Sequence, residues 1–284
     1  MNRNSKCLRI CNHEFRKAWH NPRNFVTIIW IIIIFRGYVQ PIREFAAMKE
    51  IPSAPWVLPH LLQSSFIQMM LTLGAVLIFC DAPFVKNDTN YIVMRSGKNS
   101  WLAGEILYLF GASVIYAGIV SIIVLLLLVP YVGFFTGWGK ILGTLAQSNS
   151  SLNGYVSYRI ILSYQPWEAF ARSFFALTMN TFIVGLLIMI LNMFFKRNIG
   201  PVIGTIVAFT PYLVIRLSQN NYLGYYFSLP SWMDISIYNF GDASRLPTLG
   251  YIYSVWGVLL FLLIGMGVFY VRRRDMDSLI MECR

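Results

Sequence analysis

The sequence predicts an all-α integral membrane protein with six transmembrane helices. Three observations carry that reading. Hydrophobic residues make up 57% of the 284 residues and charged residues only 12%, against about 45–50% and 25% in soluble domains. Charge-free apolar stretches recur along the chain, and a spanning helix needs about 20 such residues. The basic residues gather in short segments between alternate stretches. Disorder is excluded, because it needs low hydrophobicity and high net charge.

The elements follow in order. Residues 1–23 interleave Arg3, Lys6, Arg9, Arg16 and Lys17 with apolar Leu8, Ile10, Cys11, Phe15, Ala18 and Trp19. That pattern suits an amphipathic helix lying in the membrane interface, or a plain basic anchor. The first span covers about 24–42, where Arg36 interrupts the run that ends at Phe35. The second covers about 57–80 and the third 102–130, ended by Pro130. The fourth covers 169–195, the fifth 199–217 with Pro201 and Pro211 inside it, and the sixth 249–271. Between spans two and three, Tyr91-Ile92-Val93-Met94 reads as a short helix, with Asp88 or Thr89 as its N-cap. Residues 136–166 and 217–248 read as outer loops. In the second of them, Leu229-Pro230-Ser231-Trp232 suits a short interfacial or re-entrant piece. One membrane domain accounts for residues 1–284.

Charge sets the orientation. With the N-terminus inside, 15 of the 23 basic residues fall in segments 1–23, 81–101, 196–197 and 272–284. That places both termini in the cytoplasm, with the chain in the plasma membrane. The net charge of +11 then has a topological cause, and nucleic acid is not an expected partner. A polar, basic segment precedes the first apolar run and no small-residue cleavage site follows, so the first helix reads as an uncleaved anchor. Cys7, Cys11, Cys80 and Cys283 all fall on or near the cytoplasmic side, where thiols stay reduced.

The chain shows no constellation for chemistry. The nearest approach to a phosphate-binding loop is Arg95-Ser96-Gly97-Lys98-Asn99-Ser100. It lacks the upstream glycine, and Asn follows the lysine where Ser or Thr is needed. Cys7, Cys11 and His13 have metal-like spacing, but Lys6 and Arg9 beside them oppose a cation. His60 reads as an interfacial histidine. No catalytic residue, metal or resident cofactor is expected.

Three features remain. The stretch from Asp81 to Trp101 is too long for a bare turn, and a short helix there is a natural handle for a partner protein. Glu105 stands just inside span three, where a carboxylate is costly unless paired or wet. It either pairs with Arg95, Lys98 or the N-terminal helix (Glu14, Arg16, Lys17), or snorkels to the headgroups. Arg36, Arg172 and Arg216 form either a positive lining for an acidic or amphiphilic substrate or three separate interface anchors. Arg36 lies roughly 16 Å into its span.

Taken together, these features resemble the membrane subunit of a bacterial type-2 ABC exporter permease over nearly the full length. The residues that carry the likeness are His13-Glu14-Phe15-Arg16-Lys17 before span one, Asp81-Ala82-Pro83-Phe84 after span two, and the run from Arg95 through Trp101, Gly104 and Glu105 to Tyr108. The resemblance implies a cytoplasmic coupling helix that docks a separate nucleotide-binding ATPase dimer, through Asp88, Tyr91, Arg95, Lys98 and Trp101. It implies that ATP and Mg sit on that partner, and that a second copy or a related permease completes the complex within the membrane lipids. The implied substrate is a peptide, an antibiotic or an amphiphilic lipid-like compound. A secondary transporter or channel without an ATPase is the alternative.

Overall fold

The computed structural model describes residues 3–19, 21–84, 89–147, 156–195, 199–217, 222–238 and 245–273. The described chain is helical apart from its turns and one isolated bridge between Ser53 and Val132. Five helices are long and apolar enough to cross a membrane: α2 (Pro22–Lys49), α6 (Lys98–Leu128), α9 (Pro166–Phe194), α10 (Ile199–Leu217) and α12 (Leu249–Arg273). Shorter helices join them. They are α1 (Arg3–Trp19), α3 (Leu58–Leu61), α4 (Ser65–Phe79), α5 (Thr89–Ser96), α7 (Gly139–Gln147), α8 (Tyr158–Ser163) and α11 (Gly224–Phe227). The end that carries α1 and α5 is called basal below, and the other distal.

α1 and α2 meet at a sharp corner. Asn21 caps α2 by accepting from the Arg23 N–H at 3.1 Å, and Pro22 fills the first helical position, where no N–H is needed. Asn24 donates to the Ala18 carbonyl at 2.7 Å and ties the corner to the end of α1.

The first span is longer than Arg36 suggested. α2 runs on through Arg36 and Pro41 to Lys49, about 42 Å at 1.5 Å per residue. Its buried stripe is Thr27, Ile31, Phe35, Val39, Ile42 and Ala46, a helical period in which Arg36 falls off the stripe. The arginine therefore sits on an exposed face and does not end the helix. Glu50, in the left-handed region at φ 54°, stops it.

Where the sequence predicts one helix over about 57–80, the structure has two shorter ones. α3 and α4 are separated at residues 62–64, and the Gln68 side chain donates to the freed Leu62 carbonyl at 2.8 Å. α4 alone covers about 22 Å, less than a hydrocarbon core of about 30 Å. The loop expected over 136–166 holds α7 and α8. The segment around Trp232 forms two short 3-10 turns, Pro230–Met233 and Ile235–Ile237. Pro230, Ser231, Trp232 and Met233 are all buried, packed against α4, α9 and α10.

α9 is the central helix. It packs against α4, α6, α10 and α12, and most of its spanning residues are buried. Gly185 seats the Phe79 ring of α4, where an added Cβ would lie 2.9 Å from the ring. One turn before it, Asn180 donates to Thr72 of α4 at 3.1 Å. Hydrogen bonds of this kind hold helices together where the solvent is as apolar as their side chains.

At the basal end Asn192 of α9 joins three elements. Its amide donates to the Ala82 carbonyl at 2.7 Å and to the Cys80 carbonyl at 3.2 Å. Its Oδ1 accepts from the Gly200 N–H at 3.0 Å, one of the donors that the first turn of α10 leaves without a helical partner. Asn192→Leu strands all three groups. We expect an unfolding free energy in detergent lower by about 1–3 kcal/mol, measured by thermal unfolding beside the wild type.

Candidate functional site

The candidate site is the basal joint between α1 and α6. Its geometry begins with two glycines seven residues apart on α6. A Cβ at Gly104 would fall 2.7 Å from Ile10 Cγ2, and one at Gly111 would fall 2.9 Å from Phe15 Cζ. Only glycine lets α1 lie this close. Ile10 and Cys11 are buried by the contact, while Leu8 and Arg9 on the other face of α1 remain exposed. Between the glycines, Tyr108 takes the edge of Phe15 at a centroid distance of 4.9 Å and of Phe84 at 5.2 Å.

This docking buries two carboxyl groups. Glu14 of α1 is 4% exposed and Glu105 of α6 is 1% exposed. Lys17 Nζ stands 3.1 Å from Glu14 Oε1, and His13 Nδ1 stands 3.4 Å from the same oxygen. The Glu105 carboxylate feels the charges of both Glu14 and Lys17 and accepts from the Trp101 side chain. Its Oε2 is buried without a partner among the described residues. Two acids therefore share one lysine in a dry joint, a costly arrangement held by the packing around it. Burial, with the charge of Glu105 added, also pushes the Cys11 thiol up.

A second basal tie lies beside the joint. Arg23, at the start of α2, forms an ion pair with Asp81, at the end of α4, and donates to Cys80 Sγ at 2.8 Å. Neither this pair nor Asn192 was singled out in the sequence, where each is one polar residue at a span end.

α5 follows, turned into α6 by Gly97 at φ 88°. Thr89 and Val93 face inward, while Tyr91 and Met94 are each 80% exposed and Arg95 is exposed as well. The expected coupling residues therefore divide. Tyr91 and Arg95 are on the outer face of α5, Lys98 is half-buried, and Trp101 is buried in the α1–α6 joint against Glu105. Asp88 lies outside the described residues. Of the expected pairing set, Glu105, Glu14 and Lys17 come together, while Arg16 is exposed.

The three arginines considered as a substrate lining stand apart. Arg36 is exposed on α2 and Arg216 on α10, where it donates to Tyr212 at 3.2 Å. Arg172 of α9 is paired with Glu168 at 2.7 Å and lies over the Tyr164 ring. At the distal end His60 is buried, accepts from the Ser157 N–H at 3.2 Å and packs against Trp138. Cys7 is half-buried, and His13 contacts Glu14. Among the described residues no three His, Cys, Asp or Glu side chains gather as a metal cage.

No protein-family model, no curated protein and no solved structure matches this chain.

Two predictions test the geometry. Gly104→Val lifts α1 from α6 and frees the buried Cys11, whose thiol is held protonated by its site. In a chain with Cys7, Cys80 and Cys283 changed to Ser, maleimide labelling of Cys11 at neutral pH is expected to quicken at least about tenfold.

The second concerns Asp234, buried beside the 3-10 turns. It accepts from the Ser236 N–H at 2.8 Å. Burial outweighs that bond and the pull of Arg159 and pushes its carboxyl from 3.8 up to about 6. The fold thus holds this proton more tightly than the unfolded chain does. Its contribution is complete below pH 3.8 and is lost as pH rises to about 6. Over that window the unfolding free energy should fall by up to about 3 kcal/mol relative to Asp234→Asn, as read from detergent unfolding curves at stepped pH.

Proposed function

We propose that this chain is the membrane-spanning subunit of an ATP-driven exporter, of the kind that type-2 ABC permeases exemplify. The observation that carries the reading is the basal pair of short helices. α1 is docked on the base of α6, and α5 hangs between α4 and α6 with Tyr91, Met94 and Arg95 turned outward. A short helix packed on α6 and joined to its start through Gly97 passes a push to that long helix.

In this reading the chain crosses the plasma membrane six times. The crossings are α2, the broken pair α3–α4, α6, α9, α10 and α12. The basal end faces the cytoplasm, as its lysines and arginines favour. α5 is the coupling helix and seats a separate nucleotide-binding subunit, which carries ATP and Mg. The buried turns around Trp232 are a re-entrant piece that closes the distal end of the pathway. A second copy or a related permease completes the pathway, and the cargo is a peptide, an antibiotic or another amphiphile.

Closure of the ATPase dimer moves α5, and α5 moves the start of α6 through Gly97. The α1–α6 joint moves with it, because Gly104 lies only a few residues further along the same rigid helix. The two states differ in nucleotide affinity, which is what coupling requires. This chain performs no bond chemistry in the cycle.

The test uses the assembled complex in proteoliposomes. Arg95→Glu and Met94→Asp are expected to lower ATP-driven transport at least about tenfold while the chain still inserts and unfolds as the wild type does. The contact they break is an exposed partner surface, where truncated anchors cost about 1–2 kcal/mol or more. Undiminished transport in both variants overturns the role given to α5.

A further inference from the structure

A cleft runs between α2 and α6 from the basal end toward the membrane centre. It encloses about 170 Å³. One wall is a single face of α6, formed by Tyr108, Ala112, Ile115 and Ile119. The other is formed by Phe25, Ile28 and Ile31 of α2, and Ile78 of α4 closes the back. Phe15 and Ala18 of α1 shut the basal end. Phe25 and Ile115 at the mouth are each more than half exposed, so the cleft opens sideways between two membrane helices.

Its walls are almost wholly apolar. Of the polar side chains that line it, Asn24 is tied to the Ala18 carbonyl at 2.7 Å and Tyr108 packs its ring against Phe15 and Phe84. Thr27 donates to the Arg23 carbonyl and Tyr116 to the Leu71 carbonyl, each at 2.8 Å. An apolar space of this size stays dry, and takes hydrocarbon instead. From Tyr108 to Ile119 the wall measures about 16 Å at 1.5 Å per residue. That is half of a hydrocarbon core of about 30 Å, the depth of one leaflet. The cleft starts at the helix that lies in the interface and ends near the middle of the bilayer.

The rim has a sign. α1 carries five basic residues and one acidic residue, and Arg23 follows at the corner. Basic side chains at a membrane surface favour anionic headgroups by about 1 kcal/mol each.

We infer that the cleft is a lipid site, which holds one acyl chain of an anionic phospholipid from the leaflet on the α1 side. The lipid's headgroup lies against the basic residues of α1, and its chain packs on Phe15, Ile28 and Ala112. Bound this way the lipid braces α1 against α2 and α6. The inference needs the chain to be in a membrane and does not depend on an ATPase partner.

The test is native mass spectrometry of the full chain, delipidated in detergent and titrated with phosphatidylglycerol or phosphatidylcholine. The wild type is expected to retain one phosphatidylglycerol in preference to phosphatidylcholine. Ala112→Phe fills the cleft, and Ile115→Trp narrows its mouth without entering the core. Each should lower retention at least about tenfold, the equivalent of losing roughly two buried methylenes. Ile122→Phe, on an exposed part of α6 outside the cleft, should leave retention unchanged. Arg9→Gln with Arg16→Gln should keep a bound chain but erase the preference for phosphatidylglycerol, about fivefold per charge. Equal retention of both lipids by the wild type overturns the inference. So does undiminished retention in Ile115→Trp, which holds even if Ala112→Phe fails to fold.

Discussion

The basal end of this molecule depends on one close approach, that of α1 to α6 over Gly104 and Gly111. Any side chain at those positions would meet Ile10 or Phe15 at less than 3 Å. With the glycines in place, a basic amphipathic helix that would otherwise lie loosely on the membrane surface becomes part of the packed core. The consequences run outward from that seat. Glu14 is carried into contact with the field of Glu105, and Lys17 follows it. Cys11 is buried, Tyr108 gains two aromatic neighbours, and the basal end of the cleft between α2 and α6 is closed. The arrangement is costly in electrostatic terms, since a carboxyl oxygen of Glu105 is buried without a partner among the described residues. Apolar contact on both sides of the acids holds it together.

A second constraint comes from the bilayer itself. Where water is absent, polar groups must find partners within the chain. The structure meets this with a small number of amides placed on the central helix. Asn180 reaches α4, and Asn192 reaches the end of α4 and the start of α10. The break between α3 and α4 follows the same rule, since Gln68 serves the Leu62 carbonyl that it sets free. α9 is therefore both the most buried of the five long helices and the one that carries Asn180 and Asn192.

Much of the fold was legible in the sequence. Apolar length alone located the long helices, and the fifth apolar run lies in α10, which carries Arg216 in its last turn. The short helix near Tyr91 was legible from its place between two apolar runs. Other features were hidden for physical reasons. The sequence reading carried the first span past Arg36 only to about residue 42, yet a helix tolerates a charge on an exposed face and α2 continues to Lys49. The break at residues 62–64 lies inside an apolar run, where periodicity is weak and only the polar pair Gln63-Ser64 hints at it. Glu105 was marked for pairing with Arg95, Lys98 or the N-terminal helix, and the charged groups around it in the fold are Glu14 and Lys17 of that helix, about 90 residues away in sequence. Trp101 was expected at the docking surface from the family resemblance alone; in the fold it is buried and its side chain donates to Glu105. Gly104 and Gly111 gave no sign of their role, since glycine is common in membrane helices.

The most direct measurement is isolation of the tagged chain from its native membrane in mild detergent, with ATP hydrolysis assayed on whatever accompanies it. The account predicts a nucleotide-binding subunit in fixed stoichiometry, active in ATP hydrolysis and released when Tyr91 and Arg95 of α5 are both replaced by Asp. A chain that comes away alone, without ATPase activity under conditions that preserve membrane complexes, contradicts it and points to a transporter or channel that works without ATP.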